Sequence, residues 1–196
     1  MRTEVRIVAG SLKGRKLSVD VNPDLRPTPQ MVREALFSIL GNAVPDRPFI
    51  DIFAGTGVVG LEALSRGAKS AIFVERDFRL ANDVEGYLRR FQLTRQARIY
   101  RTDAYHWIAA WRAPAEAVNV FLSPPFADLG GRTDDLLQAL RTFQQRVADD
   151  SVIILQSERG SPIDGHSAFD EWDQRVYSRN VLLLWQKEER SAAETG

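Results

Sequence analysis

The chain contains no cysteine. That removes disulfides and thiolate metal sites from consideration and fits a reducing compartment. Histidine is almost as scarce. His106 falls in a helical pattern, His166 in a Gly/Ser loop, and neither has a partner at metal-ligand spacing, so no metal is expected. Charged residues punctuate the start from Arg2 to Lys16, leaving no secretory apolar stretch, and the run Val181-Leu-Leu-Leu-Trp185 is far too short to span a bilayer. A cytoplasmic chain with no membrane contact is the expectation. Net charge is also absent, 26 Lys and Arg facing 26 Asp and Glu, but the balance is uneven. Seven bases against three acids in residues 1–33 leave that segment at +4 and the rest at −4. A basic leader on a mildly acidic body suggests a local anionic partner; a solvated hairpin with ordinary surface lysines fits the same numbers.

What is present is ordinary for one globular domain: 196 residues, 44% hydrophobic and 27% charged, with no internal repeat or second-domain linker. Residues 4–21 alternate like a β-hairpin whose tip carries Lys13, Arg15 and Lys16, followed by an extended connection through Pro23, Pro27 and Pro29. Thr28-Pro29 predicts a helix start with a hydroxyl cap, Val32 to Leu40 continue at helical spacing, and Gly41 stops it. Strands are expected at 49–53, 70–75, 97–101, 117–122 and 151–157, and helices near 58–66, 77–91, 104–112 and 133–147. Trp107 and Trp111 sit at helical spacing suited to a core. Alternation of this kind predicts a parallel sheet covered on both faces. Trp172–Ser178 and Val181–Lys187 depart from it and predict a closing antiparallel hairpin. The expected layout is a basic hairpin and connection over residues 1–27, an α/β domain over 28–187, and a polar, frayed tail over 188–196.

The chemistry gathers around Phe49-Ile-Asp-Ile-Phe-Ala-Gly-Thr-Gly-Val-Val-Gly60: strand, glycine turn, helix. Glycines let backbone approach a ligand closely, and a helix start presents unpaired N–H groups. Gly55-Thr-Gly57-Val-Val-Gly60 matches the dinucleotide fingerprint G-x-G-x-x-G, and Glu75 lies twenty residues beyond Gly55 at a strand end, where it can accept from ribose hydroxyls. An NAD-type reading therefore competes. Against it, Asp51 precedes the turn, where an acid suits a cofactor carrying a sulfonium and an amine and would repel a pyrophosphate. Asp103 follows the third strand and can accept from an adenine amine, and the fourth strand ends in Ser123-Pro-Pro-Phe126. Four strand ends converge, where open α/β sheets bind ligands.

Methylating an exocyclic amine of a base requires freeing a lone pair delocalised into the ring. Two acceptors aimed at the amine hydrogens favour the necessary tilt. Residue 123 can supply a side-chain oxygen, Pro124 a carbonyl with fixed φ, and Phe126 a ring that stacks on the base. A rigid proline turn closing a strand is the plainer reading of the same residues.

Arg6-Ile-Val-Ala-Gly-Ser-Leu-Lys-Gly-Arg-Lys-Leu17, Leu25-Arg-Pro-Thr-Pro29, Val32-Arg-Glu-Ala-Leu-Phe37, Asp51–Gly57, Gly60–Gly67, Phe73-Val-Glu-Arg-Asp77 and Leu122-Ser-Pro-Pro-Phe126 resemble the RsmD family of 16S ribosomal RNA guanine-N2 methyltransferases. The resemblance implies a class I S-adenosylmethionine-dependent methyltransferase: Rossmann-like, with a seven-stranded, mostly parallel sheet ending in an antiparallel hairpin, and with a small N-terminal β-hairpin extension. It implies that Asp51 and Phe53, Ala54, Gly55, Thr56 and Gly57 hold the methionine end. Glu75 with Arg76 would hold the ribose, Asp103 with Ala104 the adenine. Ser123, Pro124 and Phe126 would present the guanine amine. Lys13, Arg15 and Lys16 would grip RNA phosphates, with Arg26, Thr28 and Arg33 near the target pocket. The implied partner is 16S rRNA or the assembling small subunit, met by a monomer. One residue departs: the family usually carries Asp at position 123. A carboxylate accepts more strongly and can take the departing proton, and loss of such a group costs on the order of 10²–10⁴ in rate. Since the methylated amine is acidic enough to lose its proton to water, the expectation is reduced or retained activity. A DNA adenine or cytosine amino methyltransferase and a non-catalytic RNA-binding or assembly protein keeping the cofactor pocket are the alternatives.

Overall fold

The computed structural model describes residues 2–20 and 27–188. Arg26, most of the predicted connection before it and the tail from residue 189 lie outside the described residues.

The chain alternates as its periodicity predicts: β3 (Pro48–Ile52), α2 (Val58–Ser65), β4 (Ser70–Val74), α3 (Phe78–Arg90), β5 (Ala97–Tyr100), α4 (Ala104–Ala110), β6 (Asn119–Leu122) and, beyond two further helices, β7 (Val152–Glu158). The first of those helices, α5 (Phe126–Gly131), is not expected from the sequence, where one helix over 133–147 is predicted; the second is α6 (Thr133–Arg146). Pro125 precedes α5 at the cap position, with φ −54° and extended ψ, and Asp128 N–H returns to its carbonyl. The chain closes with β8 (Asp173–Tyr177) and β9 (Asn180–Gln186).

Seven strands form one sheet in the order β5-β4-β3-β6-β7-β9-β8. The first five are parallel; β9 inserts antiparallel between β7 and β8. Continuous burial along β3, β6 and β7 explains their unbroken apolar runs, because both faces are covered. One core layer joins α1 (Gln30–Leu40), α2 and α3 to the sheet through Leu36, Phe49, Leu61, Phe73 and Val84. The other packs α4 and α6 through Ile108, Trp111, Leu140 and Phe143. Trp111 stands edge-on to Phe143 at 5.1 Å and is buried; Trp107 is partly buried between it and Tyr100. Helices change face between β3 and β6, and a crevice opens at such a switch, beyond the strands' carboxyl ends.

The leading segment forms its own two-stranded sheet, β1 (Arg2–Arg6) and β2 (Lys16–Asp20), with Val5 opposite Leu17. Its tip docks onto the end of α2. Ser11 N–H donates to the Ser65 carbonyl at 2.7 Å, Leu12 N–H to Ser65 Oγ at 2.9 Å, and Ser65 Oγ donates to the Ala9 carbonyl. Gly10 has φ +82°, and a Cβ there would lie 1.8 Å from the Ser65 carbonyl oxygen. Gly10→Ala therefore combines left-handed strain with a backbone collision, at a cost of about 1–3 kcal/mol. The expected result is a hairpin cut between residues 7 and 16 by protease under native conditions while the sheet stays folded; a protease-resistant variant would show that the tip is not held there.

Candidate active site

Asp51 is the central charge of the crevice. It lies on β3 between Phe73 of β4 and Phe121 of β6 and is 1% exposed. Its Oδ2 accepts from Gly60 N–H at 2.9 Å, and among the described residues no basic side chain pairs with it. Burial pushes its carboxyl up to about 8, the Gly60 N–H opposes this, and the neighbouring Glu75 adds to the rise. A carboxyl in that position gains most from an arriving cation.

The turn after β3 is built to admit backbone rather than side chains. Phe53, Gly55 and Gly57 all take positive φ, at 58°, 53° and 70°. A Cβ on Gly57 would sit 2.6 Å from Val84, and one on Gly60 would sit 2.4 Å from the Phe73 ring. The turn is closed by Gly57 N–H to the Ala54 carbonyl and Ala54 N–H to the Val74 carbonyl. Thr56 is buried within it. Gly57 caps α2 without a side chain of its own; in the first turn Gly60 N–H goes to Asp51 Oδ2.

Glu75 follows β4 and clamps the turn. Its Oε2 accepts from Gly55 N–H at 2.8 Å and its Oε1 from Asp77 N–H at 2.7 Å. Each oxygen retains a lone pair for a further donor. Arg76 beside it is exposed.

Asp103 caps α4, accepting from His106 N–H at 3.1 Å, and Ala104 is buried behind it. The second Asp103 oxygen is engaged by Arg132 Nη1 at 3.1 Å. Burial works against the Asp103 charge, but the His106 N–H and Arg132 hold its carboxyl below the usual value. Arg132 also bonds Asp135 at 2.7 Å and lies 4.0 Å over the Tyr105 ring. Tyr105 stands edge-on to Phe53 at 5.4 Å and donates to Asp128 Oδ2 at 3.1 Å. A continuous set of contacts thus runs from the glycine turn through Tyr105 to α5 and Arg132. Sequence reading misses Tyr105, Asp128 and Arg132, because their partners come from segments more than twenty residues apart.

Ser123 leaves β6 with its N–H on the Ile52 carbonyl at 3.2 Å, which places it beside the glycine turn. Pro124 is buried, while Phe126 opens α5 with 60% of its surface exposed. An exposed ring beside a strand-end acceptor pair suits a base arriving from outside. A separate cavity of about 220 Å³, lined by Ser157, His166 and Trp172, lies under the loop after β7, away from these residues.

Two expected RNA contacts, Arg33 and Thr28, are buried in the protein. Arg33, expected near the target pocket, is 2% exposed. It donates to Glu62 Oε2 at 2.9 Å, to the Thr28 carbonyl at 2.6 Å and to the Arg6 carbonyl at 2.8 Å, so every donor nitrogen faces protein. Thr28 does not cap α1: Pro29 occupies the cap position, and the Thr28 hydroxyl donates to Gln156 Oε1 at 2.9 Å instead. Lys13 and Arg15 are exposed beside the carboxyl end of α2, at the amino ends of the parallel strands, opposite the carboxyl ends that carry Asp51 and Ser123. Lys16 pairs with Glu4 at 2.8 Å. Arg26 lies outside the described residues. Among the described residues no group of three His, Cys, Asp or Glu is placed to hold a metal ion, and no helix is long and apolar enough to cross a membrane.

Residues 5–186 match the family model described as conserved hypothetical protein 95. YlbH of Bacillus subtilis is 35% identical over 159 residues, covering 79% of this chain and 83% of that protein. Ribosomal RNA small subunit methyltransferase D of Escherichia coli K12 is 35% identical over 157 residues, covering 79% of this chain and 75% of the relative. Among solved structures, yhhF from Escherichia coli superposes with a TM-score of 0.76 at 29% identity, over 96% of this chain and all of that one.

Proposed function

This chain belongs to the RsmD family, and from that premise we propose that it transfers a methyl group from S-adenosylmethionine to the exocyclic N2 amine of a guanine in small-subunit 16S rRNA. The observation that carries the reading is Asp51, a buried carboxyl without a basic partner among the described residues, beside a positive-φ glycine turn and one strand from Ser123-Pro-Pro-Phe126. A sulfonium with an ammonium group draws out the charge that burial opposes and meets it as a counter-ion; a pyrophosphate offers that buried carboxyl no such partner. The cofactor, when bound, supplies an already activated methyl group.

The chain supplies position. Asp51 and the backbone of Ala54–Gly57 would hold the methionine end, Glu75 the ribose, and Asp103 with Ala104 the adenine. Ser123 Oγ and the Pro124 carbonyl would accept from the amine hydrogens and orient its lone pair, while Phe126 covers a base face. Ser123 orients the amine but cannot hold the departing proton as a carboxylate would, so that proton leaves to water.

The test is radiolabelled methyl transfer from S-adenosylmethionine to small subunits from cells lacking the modification, with nucleoside analysis of the product. N2-methylguanosine in 16S rRNA is expected. Cofactor binding with no transfer would leave the non-catalytic assembly reading, and methylated DNA bases would favour the DNA enzyme.

Arg132 supplies a sharper check on the adenine end. If the adenine amine takes the oxygen that Arg132 now holds, Arg132→Leu should tighten S-adenosylhomocysteine binding by about two- to fivefold, the range of one partly exposed ion pair. Calorimetry decides it: unchanged or weaker binding would place the adenine away from that oxygen.

A further inference from the structure

Two segments that are far apart in sequence carry bases and no acids. Residues 5–19 contain Arg6, Lys13, Arg15 and Lys16; residues 86–102 contain Arg89, Arg90, Arg95, Arg98 and Arg101. The fold packs them together. Tyr87 hydroxyl donates to the Ser18 carbonyl at 2.6 Å, and Arg90 approaches the Lys16 carbonyl at 3.5 Å. The guanidinium carbons of Arg15 and Arg90 lie 6.0 and 5.4 Å from the centre of the same Phe91 ring. Lys16 is neutralised by Glu4, and Arg89 and Arg101 by Glu85. Lys13, Arg15, Arg90, Arg95 and Arg98 are exposed and form no ion pair among the described residues.

Like charges gathered on one ring repel unless an anion joins them, and on a chain of zero net charge the gathering is local. The position fixes the kind of anion. Arg90 ends α3, whose thirteen residues begin just beyond Glu75; at 1.5 Å per residue this places the patch roughly 20 Å from the cofactor crevice. A mononucleotide at the crevice cannot reach it; an extended polyphosphate can.

We infer that the seam of the hairpin with the α3–β5 turn, centred on Arg15, Arg90 and Arg95, is a phosphate-binding surface that grips folded rRNA about 20 Å from the methylated base. The inference rests on the rRNA reading above and adds to it a second contact, remote from the reacting centre. Its consequence is that substrate recognition needs RNA long enough to span both places, so a short oligonucleotide holding the target guanine binds poorly.

The experiment compares wild type with Arg15→Gln/Arg90→Gln/Arg95→Gln for binding to protein-free 16S rRNA across a salt series. At about 0.1 M salt, affinity should fall roughly 10²-fold or more, and the slope of log affinity against log salt should shrink by about 2–3, nearly one per lost phosphate contact. S-adenosylhomocysteine affinity should not change. The triple Arg→Lys variant, which keeps the charges, should retain the slope. Equal affinity and slope in wild type and the Gln variant would overturn the inference while leaving the function intact; so would equal loss of slope in the Lys variant with its S-adenosylhomocysteine affinity unchanged, since the charges are kept there. Failure of the methyltransferase reading shows instead in wild type, as no methyl transfer to the same RNA. Wild type that binds no RNA would overturn the surface as well.

Discussion

Asp51→Asn should make the unliganded protein more stable above neutral pH and weaken S-adenosylmethionine binding by about 10²-fold or more. Both effects have one cause. Asp51 is held protonated in the folded protein up to about 8, because burial disfavours its charge. In the unfolded chain the same group ionises near its ordinary value. Between those two values the folded state carries the extra proton, so stability falls as pH rises and levels off above about 8. At roughly 1.4 kcal/mol for each pH unit of difference, the loss is on the order of several kcal/mol. Asparagine keeps an oxygen for Gly60 N–H but has no proton to lose, so its stability curve should be flatter. A sulfonium and ammonium group offset the charge that burial opposes. Removing one partner from such a buried pair costs about 3–5 kcal/mol, which corresponds to the binding loss. Thermal unfolding from pH 5 to 9 and calorimetry with S-adenosylmethionine measure the two arms. Parallel pH curves for the two proteins, or equal affinities, would show that Asp51 is neither buried neutral nor the cation's partner.

Arg33→Met should cost about 3–5 kcal/mol of folding stability, without a specific effect on RNA affinity in whatever protein remains folded. Arg33 joins α1, α2, β1 and the Thr28 segment through three hydrogen bonds. Its removal leaves Glu62, fully buried, with Arg66 as its remaining basic partner, and leaves two carbonyls without their donor. Replacing both ends should recover much of the loss, because Arg33→Met/Glu62→Leu removes the uncompensated charge along with its partner. Urea denaturation of the single and double variants reads both. A stable single variant that binds RNA weakly would restore the sequence-based assignment of Arg33 to the nucleic acid.

The difference between those two residues shows what sequence makes legible. Asp51 lies where its local signature puts it, on the strand before the glycine turn: an apolar strand around it, glycines after it, a helix beyond. The sheet is legible for the same reason, since period-2 and period-3.6 patterns fix which elements form and right-handed crossovers fix their order. Arg33 has no local signature. It falls beside the apolar stripe of α1 and looks exposed, and its partner Glu62 lies 29 residues away on another helix. Arg132 and Asp103 present the same difficulty across 29 residues. The basic hairpin is visible as composition, but composition cannot say that Ser65 pins its tip at the amino ends of the parallel strands. Nor could it show that Arg90 and Arg95 join it, because a helix end followed by an edge strand explains them adequately alone.

The insertion of β9 between β7 and β8 has a consequence for synthesis. β7 pairs with β9 along seven residues, Val152 against Gln186 through Glu158 against Asn180. During translation every parallel strand leaves the ribosome before the strand that covers this edge. Until Gln186 has emerged, β7 presents its apolar residues and unpaired backbone groups as an open edge, a state prone to mispairing. Cooperative closure of the sheet is therefore deferred to the last strand, and a nascent chain stalled before residue 180 is a client for chaperones rather than a partly active enzyme.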